Sequence, residues 1–250
     1  MDEIKAVVLA AGKGTRMQSE EHHLPKVLRE ACGRPLLAHV LDQLAFVPRA
    51  DTVLVVGYLH ELVERAFPGY PTALQEPQLG TGHAVLCARK HLEGFGGTVL
   101  VCYGDMPLLR REVYERLLAA HRAAGAQCTL LSGTCEEDLP YGRVLTDGDD
   151  NFVAVVEDRD CTPEQKAVRD LNVGIYAFEC PWLLAALDRL RCDNAQHEYY
   201  LTDVPALIQA AGGLVKVRRE TLNEQILGVN TPEQLALTER CLRQRAQDGA

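Results

Sequence analysis

The feature that most narrows the fold is a rhythm. Short β-branched apolar runs at residues 4–9, 52–56, 98–103, 128–132, 153–157, 174–178 and 214–217 alternate with longer segments whose apolar residues recur at three- and four-residue spacing. Those longer segments, "PLLAHVLDQLAF", "GHAVLCARKHL", "REVYERLLAAHRAAG", "PWLLAALDRL" and "YLTDVPALIQAAGG", have the period of helices. Such alternation predicts an α/β fold: a Rossmann-like, mostly parallel, doubly wound sheet with helices on both faces. "TVLVVG" and "TVLVCYGD" are apolar almost throughout, as central strands covered on both sides must be. Thr162 and Thr231 each open a Thr-Pro-Glu-Gln sequence, which places a capping hydroxyl, a first-turn proline and a reciprocal glutamine at a helix start. Residues 133–165 break the rhythm, with turn residues between short strands, and predict a small β insertion flanking a cleft. No Ser/Gly linker or charge block divides the 250 residues, so one domain is expected, ending in a charged helix or tail over 236–250.

Charge and termini limit the partners. With 35 acidic and 26 basic residues the net charge is −9, so the bulk surface repels nucleic acid and anionic membranes, and neither is an expected partner. Any phosphate must then be held by a local pocket. The opening "MDEIKAVVLAAG" carries acids ahead of a run too short to cross a bilayer and has no leader-peptide cleavage pattern, which predicts a cytoplasmic protein. The nine cysteines are scattered without a C-x-x-C pair. They predict neither a disulfide framework nor a zinc site, and most read as small buried apolar residues.

The first strand runs into "VVLAAGKGTRM". A dinucleotide fingerprint would need glycine where Met17 stands, and a Walker loop would need four residues between its first glycine and Gly-Lys-Ser/Thr. What remains is a strand end, Gly12 and Gly14, which let backbone N–H groups approach an anion, and the cations Lys13, Arg16 and Lys26. Turn-forming or helix-packing glycines are the plainer alternative. Asp105 ends the apolar run "TVLVCYGD", at the carboxyl edge where open α/β sheets bind ligands. It reads either as a turn former or as the first ligand of the Mg²⁺ that clustered phosphates need. In "LQEPQLGTGHAV", Gln75, Gln78, Gly80 and Thr81 precede a helix and offer groups able to read a base or sugar, although a loop glutamine is often only solvated.

Taken together, "VVLAAGKGTRM", "LPKVL", "GRPLLAHVLDQL", "QEPQLGTGHAV", "VCYGDMPLL", "YGRV", "VVEDRDCTPEQ", "LNVGIYAFE", "NAQHEYYLTDV" and "LGVNTPEQLA" resemble, in order, the nucleotidyltransferases that activate sugar 1-phosphates. The resemblance is closest to the uridylyltransferase domain of the bacterial bifunctional N-acetylglucosamine-1-phosphate enzymes. It implies a nucleotide-binding half over 1–110 and a sugar-binding half over 111–235. Leu9, Ala10, Ala11, Gly12 and Gly14 would then line the nucleotide site, Gln75, Gly80 and Thr81 would read uracil, and Tyr103 and Gly104 would lie beside the ribose. Asp105 and Asn230 would hold Mg²⁺, and Gly142, Glu157, Asn172 and Thr202 would hold the N-acetylated sugar. The implied reaction is in-line attack of N-acetylglucosamine 1-phosphate on the α-phosphorus of UTP, with Arg16 and Lys26 as the catalytic cations.

The chain also departs from the family. "QSEEHH" lengthens the loop between Arg16-Met17 and Pro25-Lys26, with His22 and His23 read as surface residues, and Val173 stands where a threonine is common. The bifunctional enzymes' hexapeptide repeats are absent from these 250 residues, so no acetyl transfer is expected. Two other readings remain open: a relative using another nucleotide or a different sugar or alditol phosphate, and a silent nucleotide-sugar binding protein. The set Arg16, Lys26, Asp105 and Asn230 argues against the second.

Overall fold

The structure is a computed structural model that describes residues 3–17, 19, 21, 23–135, 139–149, 151–194 and 196–248; His22 and part of the lengthened loop fall outside them. The strands are β1 (Ile4–Leu9), β2 (Glu30–Ala31), β3 (Arg34–Pro35), β4 (Thr52–Val56), β5 (Thr72–Leu74), β6 (Thr98–Tyr103), β7 (Cys128–Thr134), β8 (Arg143–Thr146), β9 (Phe152–Val156), β10 (Leu171–Glu179) and β11 (Val215–Thr221). The α-helices are α1 (Leu36–Gln43), α2 (His60–Ala66), α3 (Thr81–Cys87), α4 (Arg111–Ala124), α5 (Pro163–Lys166), α6 (Cys180–Leu187), α7 (Val204–Ala210) and α8 (Pro232–Asp248).

Nine strands form one sheet in the order β11-β7-β10-β6-β1-β4-β5, with β8 and β9 attached beside β10, while β2 and β3 form a separate pair. Parallel pairing links β1 to β4 and β6, β4 to β5, and β7 to β11. β10 runs antiparallel to β6, β7 and β8, so the sheet is mixed where it meets the insertion. The predicted insertion is the antiparallel pair β8 and β9, which extends from β10 at Arg143.

Period-two alternation sends neighbours in one strand to opposite faces. Val8, Leu100 and Cys102 face the cluster that α1 and α4 complete with Leu37, Val40, Val113, Tyr114 and Leu117. Val7, Leu9, Val99 and Val101 face the other, filled by Val85 of α3, Leu183 of α6 and Val204 and Ile208 of α7. Burying a side chain such as Val7 or Leu100 contributes about 1.5–3 kcal/mol, so the central strands are fixed in register by their own residues.

The chain runs from β1 outward to β4 and β5, then returns to β6 on the other side of β1. Strand order therefore reverses at β1, and Leu9 and Tyr103 are register partners at its carboxyl end. That crevice is where an open α/β sheet holds its ligand. Of the nine thiols, all free, Cys102, Cys128 and Cys180 are buried, Cys32 is exposed and five are intermediate, so fewer serve as core residues than the sequence suggested.

Candidate active site

A cleft of about 410 Å³ opens over the carboxyl ends of β1 and β6. Its floor begins where β1 ends. Ala10 N–H still donates to Val55 O (2.8 Å) and Gly104 N–H to Leu9 O (2.9 Å), after which Gly12 and Lys13 leave the sheet exposed. Gly14 O accepts from Met17 N (2.9 Å) and closes the short turn Thr15–Met17. Met17 is buried with Ala31, Leu36 and Val229. An anchor thus stands where a dinucleotide fingerprint would carry its third glycine.

One end of the cleft is built from three distant parts of the chain. Lys26 forms an ion pair with Asp105 Oδ2 and donates to Asn230 Oδ1 (2.9 Å). The juxtaposition is backed by the main chain, because Val229 N–H donates to Asp105 O (2.8 Å). The Thr231 cap fixes Asn230 in turn: Gln234 Oε1 accepts from Asn230 N (2.7 Å) and Thr231 N (3.1 Å), and Thr231 Oγ1 accepts from Gln234 N (3.3 Å). A carboxylate and an amide oxygen therefore already converge on one cation, the Lys26 ammonium. Hard oxygen donors of this kind suit Mg²⁺, which takes few protein ligands and completes its shell with phosphate oxygens and water. Among the described residues no group of three or more His, Cys, Asp or Glu could hold a metal ion.

Across the cleft, Gln75 is buried, and its Nε2 donates to Gly80 O (2.9 Å) and meets His83 Nδ1 at 3.3 Å. Burial, followed by the charges of Glu157 and Asp105, raises the Tyr103 pKa, with the Thr81 side chain acting against that. The opposite wall carries Glu157 and Asn172. Burial raises the Glu157 pKa, with the Thr202 hydroxyl acting against that shift by donating to Oε1 (3.1 Å). Register between β10 and β7 slips between Asn172 and Tyr176, and the bulge is closed by Asn172 Oδ1, which accepts from Gly174 N (3.2 Å) and the Tyr176 hydroxyl (3.0 Å). Among the described residues no acceptor pairs with the Asn172 NH₂ group.

Leu9, Ala10, Ala11, Gly12, Lys26, Gln75, Gly80, Thr81, Tyr103, Asp105, Gly142, Glu157, Asn172 and Asn230 all line this one cleft, as do Lys13 and Gln78. Gly14, Arg16, Gly104 and Thr202 lie outside its lining; Arg16 is exposed on the turn, and Thr202 reaches the cleft only through Glu157. Sequence reasoning passed over Tyr141, although the residue opens the motif "YGRV". The Tyr141 hydroxyl donates to Ile226 O (3.0 Å) and accepts from Gly228 N (2.9 Å), so it ties the insertion to the segment that presents Asn230. Burial pushes its pKa up to about 12, with the Gly228 N–H acting against that. Its signal was an aromatic residue beside a glycine at the cleft, whose partners lie too far along the chain for local pattern to reveal.

Comparison with known proteins defines the class. Residues 6–175 match the MobA-like NTP transferase domain, and the chain belongs to that family of nucleotidyltransferases. Among curated relatives, it is 45% identical over 249 residues to the bifunctional protein GlmU of Syntrophotalea carbinolica, a match covering 99% of this chain and 53% of the relative. With GlmU of Pelotomaculum thermopropionicum it shares 43% identity over 244 residues, covering 97% of this chain and 53% of the relative. The chain thus spans about half the length of the curated relatives it matches, and the motif-based resemblance holds along nearly all of it. A crystal structure of a Bacillus anthracis protein assigned as a glucose-1-phosphate thymidylyltransferase superposes with a TM-score of 0.73 over 96% of this chain and 95% of that one; at 16% identity it speaks for the fold alone. Among the described residues no helix is long and apolar enough to cross a membrane.

Proposed function

We propose that this chain joins UTP to N-acetylglucosamine 1-phosphate, forming UDP-N-acetylglucosamine and releasing pyrophosphate. The observation that carries this reading is the convergence of Lys26, Asp105 and Asn230 at one end of a cleft whose walls also hold Gln75 and Glu157. The nucleophile is a phosphate oxygen of the sugar phosphate, ionised before it arrives, so the site needs no general base. Its task is to align two anions and neutralise the charge that grows on the leaving pyrophosphate.

Lys26 supplies a cation at the mouth of the glycine-rich turn, and Lys13 and Arg16 extend positive charge along that turn toward the leaving group. Backbone N–H groups beyond Leu9 approach the triphosphate closely because the residues there are small. A magnesium ion held by Asp105 and Asn230 would add Lewis-acid neutralisation of the phosphate oxygens. On the far wall Glu157 accepts from sugar hydroxyl or amide groups and Asn172 donates to their acceptors. Likeness to GlmU along nearly the whole chain supports uridylyl transfer to an N-acetylated hexosamine.

The test is pyrophosphate release with each NTP against a panel of sugar and alditol phosphates. UTP with N-acetylglucosamine 1-phosphate should give the highest kcat/KM. A higher value for another pair would replace the substrate assignment, and nucleotide-sugar binding with no turnover for any pair would refute an enzymatic role.

A further inference from the structure

We propose that His83, which does not line the cleft, is a positioning residue that holds the Gln75 amide with its oxygen toward the nucleotide, and thereby selects a base carrying a ring N–H over one carrying a ring acceptor. The inference deepens the uridylyltransferase reading and rests on it.

An amide side chain has two ends, and only its hydrogen bonds decide which faces a ligand. At Gln75 two partners, Gly80 O and His83 Nδ1, set it together. Gly80 O, 2.9 Å away, is an acceptor without a proton, so the group facing it must be the NH₂. Its second hydrogen has His83 Nδ1 within reach, 3.3 Å from Nε2. His83 can receive it only with a lone pair on Nδ1, which places the imidazole proton on Nε2; burial lowers the His83 pKa and favours that neutral ring. Both donors of Gln75 are thereby used within the protein, while Oε1 accepts from no described residue and Gln75 lines the cleft. An outward oxygen pairs with the ring N–H of uracil or thymine and opposes the ring nitrogen lone pair of cytosine. Without His83 one NH₂ hydrogen is released, and the fixed orientation weakens.

The variants His83→Leu, which offers no lone pair, and His83→Asn, which does, test the assignment by pyrophosphate release with UTP and CTP. In wild type, UTP should be preferred. In His83→Leu the UTP-over-CTP ratio of kcat/KM should fall about five- to tenfold, the worth of roughly one hydrogen bond. The change should fall on the nucleotide KM rather than on kcat, and His83→Asn should restore the ratio. A ratio unchanged in His83→Leu, or a loss of kcat alone in both variants, overturns the proposal. If wild type turns over no UTP, the function proposed above fails, and the UTP-to-CTP binding ratio of wild type and His83→Leu, measured by calorimetry, decides the role of His83 independently.

Discussion

Gly174 lies in the β10 bulge at φ 76°, and its missing side chain is the seat of the Tyr103 ring. A Cβ placed there would overlap that ring, with Cδ2 at 2.8 Å and Cζ at 3.1 Å. Gly174→Ala therefore meets two penalties: left-handed backbone in an L-residue costs roughly 1–2 kcal/mol, and overpacking typically costs about 1–3 kcal/mol. Reduced freedom of the unfolded chain returns about 0.4–1 kcal/mol, leaving a net loss of about 2–4 kcal/mol. Gly94 provides the control, because it has φ 75° and open space within 4 Å of where a methyl would stand, so Gly94→Ala carries the backbone penalty without the overlap. Urea unfolding of both variants isolates the ring contact. Tyr103 lines the cleft, so Gly174→Ala should also raise the nucleotide KM, while Gly94→Ala should not. If Gly174→Ala proves no less stable than Gly94→Ala and binds nucleotide normally, the account of how the bulge shapes the cleft is refuted.

Lys26→Ala should lower kcat by roughly 10²-fold or more, as loss of one positioned transition-state donor does, and a raised KM with unchanged kcat would contradict its catalytic role. Because burial raises the Glu157 pKa, its carboxylate takes up a proton at a higher pH than an ordinary glutamate does. The sugar-phosphate KM should accordingly rise as pH falls through that raised value, an acid limb that Glu157→Gln should abolish. The same sign makes the ionised Glu157 a cost to folding above its unfolded pKa, so Glu157→Gln should be neutral or stabilising at pH 7 in thermal unfolding. Tyr176→Phe removes one of the two donors to Asn172 Oδ1 and should destabilise the fold by about 0.5–1.5 kcal/mol while raising the sugar-phosphate KM more than it lowers kcat.

What the sequence revealed, and what it withheld, follows the reach of local pattern. β1, β4 and β6 stand where their apolar runs end, because central strands are specified by their own residues. The Thr162 and Thr231 caps are equally local, each made within three residues. β5, only Thr72–Leu74, has no period to detect, and α2 starts after Leu59 in a left-handed conformation rather than from a recognisable cap. The antiparallel sense of β10 and its bulge depend on β6 and β7, so nothing within "LNVGIYAFE" announces them. At the site, the motifs marked many residues of the cleft, whereas Tyr141 ties to Ile226 and Gly228, partners that only folding brings near.

Lys26 and Asn230 stand 204 positions apart, yet a single ammonium fastens them together with Asp105. During synthesis every strand of the large sheet precedes Asn230 in the chain, so the scaffold can assemble around a centre that stays open. The last fastening arrives with the lead-in to α8, which makes that late segment the element that completes this end of the cleft.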